Sequence, residues 1–247
     1  MTLLLAAALF LPLFPFSMPL NWLLARLANP VVRFMLVLLW PQIGIAILGL
    51  EPHKISNGMV VWALLSSVFY ALRLLTVRDL GLWAGFLASS ALALIWGLAV
   101  HGSVLEMQIS SFAFSLPAAL LTLLTWPLTE RFGAAFAGLC GGLVSSLPRL
   151  SGVLVFTVLA AIATPPSPGF FAMLDLLNKL DWPMAPGVLV IWLLWGWAAT
   201  KLLQGFISGA DGVEEAAMDI GRAAAALYMG LISAFVVTGL ILTGGMP

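Results

Sequence analysis

Charged residues divide this chain into long apolar stretches. Residues 1–25, 34–50, 55–72, 80–100, 107–129, 132–148, 150–174, 182–200 and 223–247 contain no Asp, Glu, Lys or Arg. Hydrocarbon supplies no water to unpaired N–H and C=O groups, so only α-helices and closed β-barrels cross it. Barrel strands need about ten residues of alternating polarity, whereas these runs are longer and continuously apolar. Each fits a helix of about 20 residues. The pattern predicts an all-α fold, a polytopic transmembrane helical bundle with nine spans at about 2–20, 34–50, 57–74, 80–100, 112–129, 149–164, 168–182, 186–208 and 220–243. The run 132–148, FGAAFAGLCGGLVSSLP, is rich in Gly and Ala and carries a Gly-Gly pair. It predicts a re-entrant or surface-lying segment rather than a crossing.

Composition agrees. The chain is 62% hydrophobic and 8% charged, against about a quarter charged in a soluble domain, so no soluble domain is expected. Ten basic residues balance ten acidic ones, and no basic cluster offers a footprint for nucleic acid. Cys140 is the lone cysteine, which excludes an internal disulfide and a cysteine-based metal site. His53 and His101 lie far apart without metal-ligand spacing. No metal or cofactor is expected. Met1 to Ala25 lacks the positive start and small-residue cleavage site of a signal peptide, and reads as a retained span.

Nine spans place Arg26, Arg33, Arg73, Arg78, Arg131, Arg149 and Lys179 on one face and Lys54 alone on the other. By the positive-inside rule the first face is cytoplasmic and the N-terminus outside. An additional crossing at 132–148 inverts everything after it. The acidic connection FISGADGVEEAAMDIGR, with Asp211, Glu214, Glu215 and Asp219, is then expected outside as a solvated loop with a short amphipathic helix. Trp22, Trp126 and Trp182 fall at span ends, where an amphipathic ring prefers the headgroup level. Trp192, Trp195 and Trp197 read as helix-packing or lipid-facing surface.

Ionisable groups inside an apolar slab carry the most information, because a charge there is expensive and marks a pathway or a pair. Arg73 and Lys201 lie near span ends, where long stems snorkel to the interface; Lys201 is kept as an ion-path candidate. Asp175 and Lys179 are four residues apart on one helical face, within reach of each other. They follow Ala163-Thr-Pro-Pro-Ser-Pro-Gly-Phe170, where Pro165, Pro166, Pro168 and Gly169 prevent a regular helix. Broken helices are tolerated where packed by protein or lining a cavity, and they often mark ion paths. Asp175 and Lys179 are thus either a structural pair or ion-path stations. Gly44, Gly49, Gly138 and Gly142 let helices approach closely. No G-x-S-x-G, H-E-x-x-H or phosphate-cradling loop is present, and the chain is not expected to be catalytic by itself.

From about Phe112 to Pro247 the chain resembles the last five helices of the antiporter-like subunits of respiratory complex I and of Mrp antiporters. The landmarks occur in order: Thr129-Glu130-Arg131, Gly141-Gly142-Leu143, Leu147-Pro148-Arg149-Leu150, Pro165 to Phe170, Lys201-Leu-Leu-Gln-Gly-Phe206 and Gly244-Gly-Met-Pro247. Residues 1–111 are set apart as an N-terminal group of about four spans, ahead of 112–247. The resemblance implies a membrane subunit of an ion-coupled assembly: complex I-like, Mrp-like, a membrane-bound hydrogenase or a Dab-type inorganic-carbon uptake system. Pumping members place ionisable residues where this chain has Phe114, Ala118 and Met173. The expectation is therefore a truncated, non-pumping accessory subunit in a bacterial inner membrane, docked beside a larger antiporter-like partner and surrounded by lipid. The alternative is an independent secondary transporter using Asp175 and Lys179, although no internal repeat is visible between the halves.

Overall fold

The computed structural model describes residues 2–50, 55–139, 142–208 and 218–244. These form twelve α-helices with no strand among the described residues: α1 (Thr2–Phe10), α2 (Met18–Arg26), α3 (Pro30–Gly49), α4 (Asn57–Leu74), α5 (Leu80–Ala93), α6 (Ile95–Leu98), α7 (Val104–Phe132), α8 (Leu143–Ser146), α9 (Pro148–Ala161), α10 (Pro168–Lys179), α11 (Ala185–Ile207) and α12 (Arg222–Gly244). The helix starts follow local chemistry. Asn29, Ser56 and Asp79 cap α3, α4 and α5 through their side chains, and Ser103 and Glu106 close a reciprocal capping box on α7. Gly133 ends α7 in the left-handed region at φ 76°, which a residue with a Cβ enters only under strain.

Among the described residues six helices are long and apolar enough to cross a membrane: α3, α4, α5 continued by α6, α7, α11 with its leading turn, and α12. Beside these six, shorter helices occupy the stretches expected as spans at 2–20, 149–164 and 168–182. The stretch 2–20 holds α1 and only the first turn of α2, each helix nine residues long, with Pro12 and Pro15 between them and Pro19 opening α2. Likewise α9 and α10 are about 21 Å and 18 Å long, each short of a hydrocarbon core of about 30 Å. Arg149 opens α9 at the end of the bundle where α7 finishes, and Lys179 closes α10 where α7 starts. The spans expected at 149–164 and 168–182 are therefore two halves of one crossing.

α5 and α7 form the centre. Helices in lipid associate by close van der Waals packing rather than by a hydrophobic drive, and α5 (LGLWAGFLASSALA) is made of residues that permit it. Leu24 of α2 lies against Gly85, and α3, α4 and α7 surround the rest. One core includes Leu11, Val37, Trp83 and Ala91 together with Phe114, Leu154, Met173 and Trp195. Residues 1–111 and 112–247 thus share a single interior. α12 is only 11% buried and faces outward along most of its length.

The segment after α7 does not cross. Ala137 N–H donates to the Arg78 carbonyl at 2.8 Å, Gly138 N–H to that of Gly205 at 2.7 Å, and Leu80 N–H to that of Ala135 at 3.0 Å. Residues 133–139 thus lie across the end of the bundle, as the Gly/Ala pattern predicts; Cys140 and Gly141 lie outside the described residues.

Merging α9 and α10 changes the two faces. Arg26, Arg33, Arg73, Arg78, Arg131, Arg149, Lys201 and Arg222 gather at one end, and among the described residues Lys179 is the only cation at the other. Lys179 therefore leaves the arginine face on which nine spans placed it. The connection into α12 moves the opposite way: Asp219 accepts from Arg149 N–H at 2.8 Å and Leu150 N–H at 3.2 Å, capping α9 on the arginine-rich end. Asp219 is a helix cap rather than part of a solvated loop on the far side. Asp211, Glu214, Glu215, His53 and Lys54 lie outside the described residues.

Candidate functional site

Both helix breaks free backbone groups that low-dielectric surroundings leave no water to satisfy. Tryptophans supply most of the donors. At the first break Trp40, Trp96 and Trp62 indole N–H groups donate to the carbonyls of Leu9 (3.2 Å), Leu11 (3.2 Å) and Phe14 (2.7 Å), while Phe14 N–H donates to Ser66 Oγ at 3.0 Å. At the second, Trp192 Nε1 donates to the Ile162 carbonyl at 3.1 Å and Thr164 Oγ1 to that of Leu159 at 2.9 Å. Ala163 there adopts φ 59°, and Ser167, Pro168 and Gly169 are buried, while Pro165 and Pro166 face outward. Gly169 lies against the Ala113 carbonyl of α7, and Gly239 of α12 lies on Pro168. Protein thus packs the Ser167–Gly169 side of the break and leaves Pro165 and Pro166 exposed.

The expected packing role of Trp192 and Trp195 is thereby specific. Trp195 is fully buried, stands edge-on to Phe114 with centroids 6.2 Å apart, and donates to Ser90 Oγ at 2.9 Å. Ser90 and Ser67 bond each other across α4 and α5. Ser17 meets the Tyr70 hydroxyl, and Ser89 donates to Asn21. The interior is therefore polar in places yet uncharged. Among the described residues no carboxylate, ammonium, guanidinium or imidazole is buried; the buried polar side chains are serines and threonines, with Tyr70 and the indoles. Phe114, Ala118 and Met173 are 2%, 0% and 0% exposed.

Asp175 and Lys179 meet as their spacing suggests, with Nζ 2.9 Å from Asp175 Oδ2, but they are joined by a third group, Glu106 of α7, whose Oε2 is 3.0 Å from the same nitrogen. Glu106 escapes a search for mid-membrane charges because it lies in the first turn of α7. The pattern Ser103-x-x-Glu106 is the signal that marks it. The triad sits at the end of the bundle, about 10 Å along α10 from the break, with Lys179 21% exposed. Nearby, Asn57 Nδ2 donates to Asp181 Oδ2 at 3.4 Å, tying the start of α4 to the turn before α11. A partly exposed pair of this kind contributes on the order of 1 kcal/mol or less. Lys201 lies at the opposite end and donates to the Leu75 carbonyl at 3.1 Å, satisfying the end of α4. The ion-path candidates do not converge: Asp175 and Lys179 share one end, Lys201 the other, and the break lies between.

This arrangement defines a multi-pass helical membrane protein with two interrupted crossings and, among the described residues, no buried charge. Chains of three known complexes share its fold. It superposes on a chain of the Mrp complex from Dietzia sp. DQ12-45-1b with a TM-score of 0.81 at 19% identity, covering 96% of this chain and 55% of that one. For a chain of respiratory complex I from Thermus thermophilus the values are 0.83, 20%, 96% and 53%. For a chain of the membrane-bound sulfane sulfur reductase, an archaeal respiratory membrane complex, they are 0.81, 17%, 96% and 51%. The likeness of fold thus reaches residues 1–111 as well as 112–247, and this chain spans about half the length of each neighbour. No protein-family profile matches the sequence. An uncharacterized protein of Aquifex aeolicus (strain VF5) is 22% identical over 195 residues, 79% of this chain and 81% of that protein.

Proposed function

We propose that this chain is a non-pumping accessory subunit of a multi-subunit, cation-coupled membrane complex, docked beside a larger antiporter-like subunit. One observation carries the reading: among the described residues no carboxylate, ammonium, guanidinium or imidazole is buried, and Phe114, Ala118 and Met173 are packed in the apolar core. A proton path needs closely spaced titratable groups or water. Apolar side chains exclude that water, and an isolated charge in low dielectric costs several kcal/mol. The neighbours' complexes support the general kind of assembly. The one-sided arginines support a cytoplasmic membrane location, with the arginine-rich end inside.

Extraction in mild detergent tests this. The chain should comigrate with a larger antiporter-like partner; recovery alone, with transport activity in liposomes, overturns the proposal and favours an independent transporter. Asp175→Asn gives a second reading in the intact assembly. Lys179 keeps Glu106, so stability should fall by about 1 kcal/mol or less while coupled transport persists. Loss of transport at unchanged assembly would make Asp175 an ion-path residue.

A further inference from the structure

On the arginine-rich end, α7 presents Thr125, Trp126, Thr129 and Glu130 on one face, opposite the turn Ala28-Asn29-Pro30 that leads into α3. Together they enclose an open cleft of about 560 Å³. Trp126 and Glu130 are four residues apart, so ring and carboxylate adjoin. Trp126 is 57% exposed. Among the described residues neither the Glu130 carboxylate nor the Trp126 indole N–H has a hydrogen-bond or ion-pair partner.

Among the described carboxylates at this end, Glu130 alone caps no helix. Asp79 accepts from Leu82 N–H at 2.7 Å and Asp219 from the start of α9, so both are occupied as caps. The adjacent Arg131 turns away, giving Nη1 to the Pro127 carbonyl and Nε to that of Met218, each at 2.8 Å. The cleft therefore offers one unneutralised negative charge beside an exposed aromatic face, on an end otherwise crowded with cations. A guanidinium or ammonium group suits both, pairing with the carboxylate and lying over the indole; within this chain Arg26 already sits 4.4 Å over Trp22. A zwitterionic lipid headgroup fits less well, because its phosphate would be brought beside Glu130, where none of the residues lining the cleft is cationic to receive it.

We propose that the Trp126–Glu130 cleft receives an arginine or lysine side chain of a neighbouring membrane subunit at the same membrane boundary. This rests on the subunit reading above and adds the chemistry of the contact. The test uses the full assembly extracted from native membranes at raised salt, comparing wild type with Glu130→Gln, Glu130→Asp and Trp126→Ala, and a photoreactive benzoyl-phenylalanine in place of Trp126. Glu130→Gln should lower the fraction of chain retained in the assembly by about tenfold, as expected for losing a charge-assisted hydrogen bond. Glu130→Asp should recover part of it, with membrane levels of the chain unchanged. The crosslinked peptide should contain an Arg or Lys whose neutralisation reproduces the Glu130→Gln loss. A wild-type assembly that Glu130→Gln leaves intact, or crosslinks to lipid alone, overturns this inference and spares the subunit reading. A wild-type chain that is never found in an assembly overturns both.

Discussion

Replacing Gly239 with leucine should remove most folded protein from the membrane. A Cβ at position 239 would lie 2.8 Å from Pro168 Cβ and 3.1 Å from its Cα, and would overlap the ring itself. Pro168 cannot yield by rotating a side chain, because its ring is part of the α10 backbone at the break. α12 must then move off α9 and α10, which provide its main contacts. Overpacking a rigid site costs about 1–3 kcal/mol or more, and displacement of a whole helix adds lost contacts along its length. Membrane-inserted, monodisperse protein measured by fluorescence-detected chromatography should fall at least tenfold. Gly230, on the same helix with nothing within 4 Å, is the control: Gly230→Leu should leave the yield near wild type, and equal loss in both variants would refute the packing argument.

Trp96→Ala should be nearly as damaging. The side chain is fully buried and its indole N–H holds the Leu11 carbonyl at the first break. Truncating a buried Trp costs about 3–5 kcal/mol, and an orphaned carbonyl adds about 1–3 kcal/mol. Trp96→Phe separates the two contributions, keeping most of the volume and losing only the hydrogen bond. Thermal unfolding in detergent should rank wild type above Trp96→Phe above Trp96→Ala. Identical midpoints for wild type and Trp96→Phe would mean that the indole N–H contributes nothing.

Much of the fold is legible in the pattern of charges. α3, α4, α7, α11 and α12 lie where uncharged runs place them, and the Gly/Ala-rich segment after α7 stays at the surface. What the pattern hides is continuity through mid-membrane. Pro165 to Gly169 reads equally as a turn between two helices and as a joint within one crossing, since both require the same residues. Only the partners of the flanking ends, Asp219 at Arg149 and Glu106 at Lys179, distinguish them, and those are distant in sequence. The first run fails similarly: its composition suits a span, but Pro12, Pro15 and Pro19 divide it. The role of Trp40, Trp62, Trp96 and Trp192 is hidden for the same reason, because the carbonyls these indoles serve exist only once the helices break. Spacing alone brings Asp175 and Lys179 together, whereas the capping pattern at Glu106 marks a helix start and leaves its ion pair unannounced.

The interrupted crossing α9–α10 is held from both sides: Asp219 grips its beginning and Glu106 its last residue, while Gly239 braces the middle. A jointed strut clamped at each foot and propped at the knee has no free arm to swing. On the accessory role proposed above, such a crossing serves as a brace between neighbours rather than as a gate.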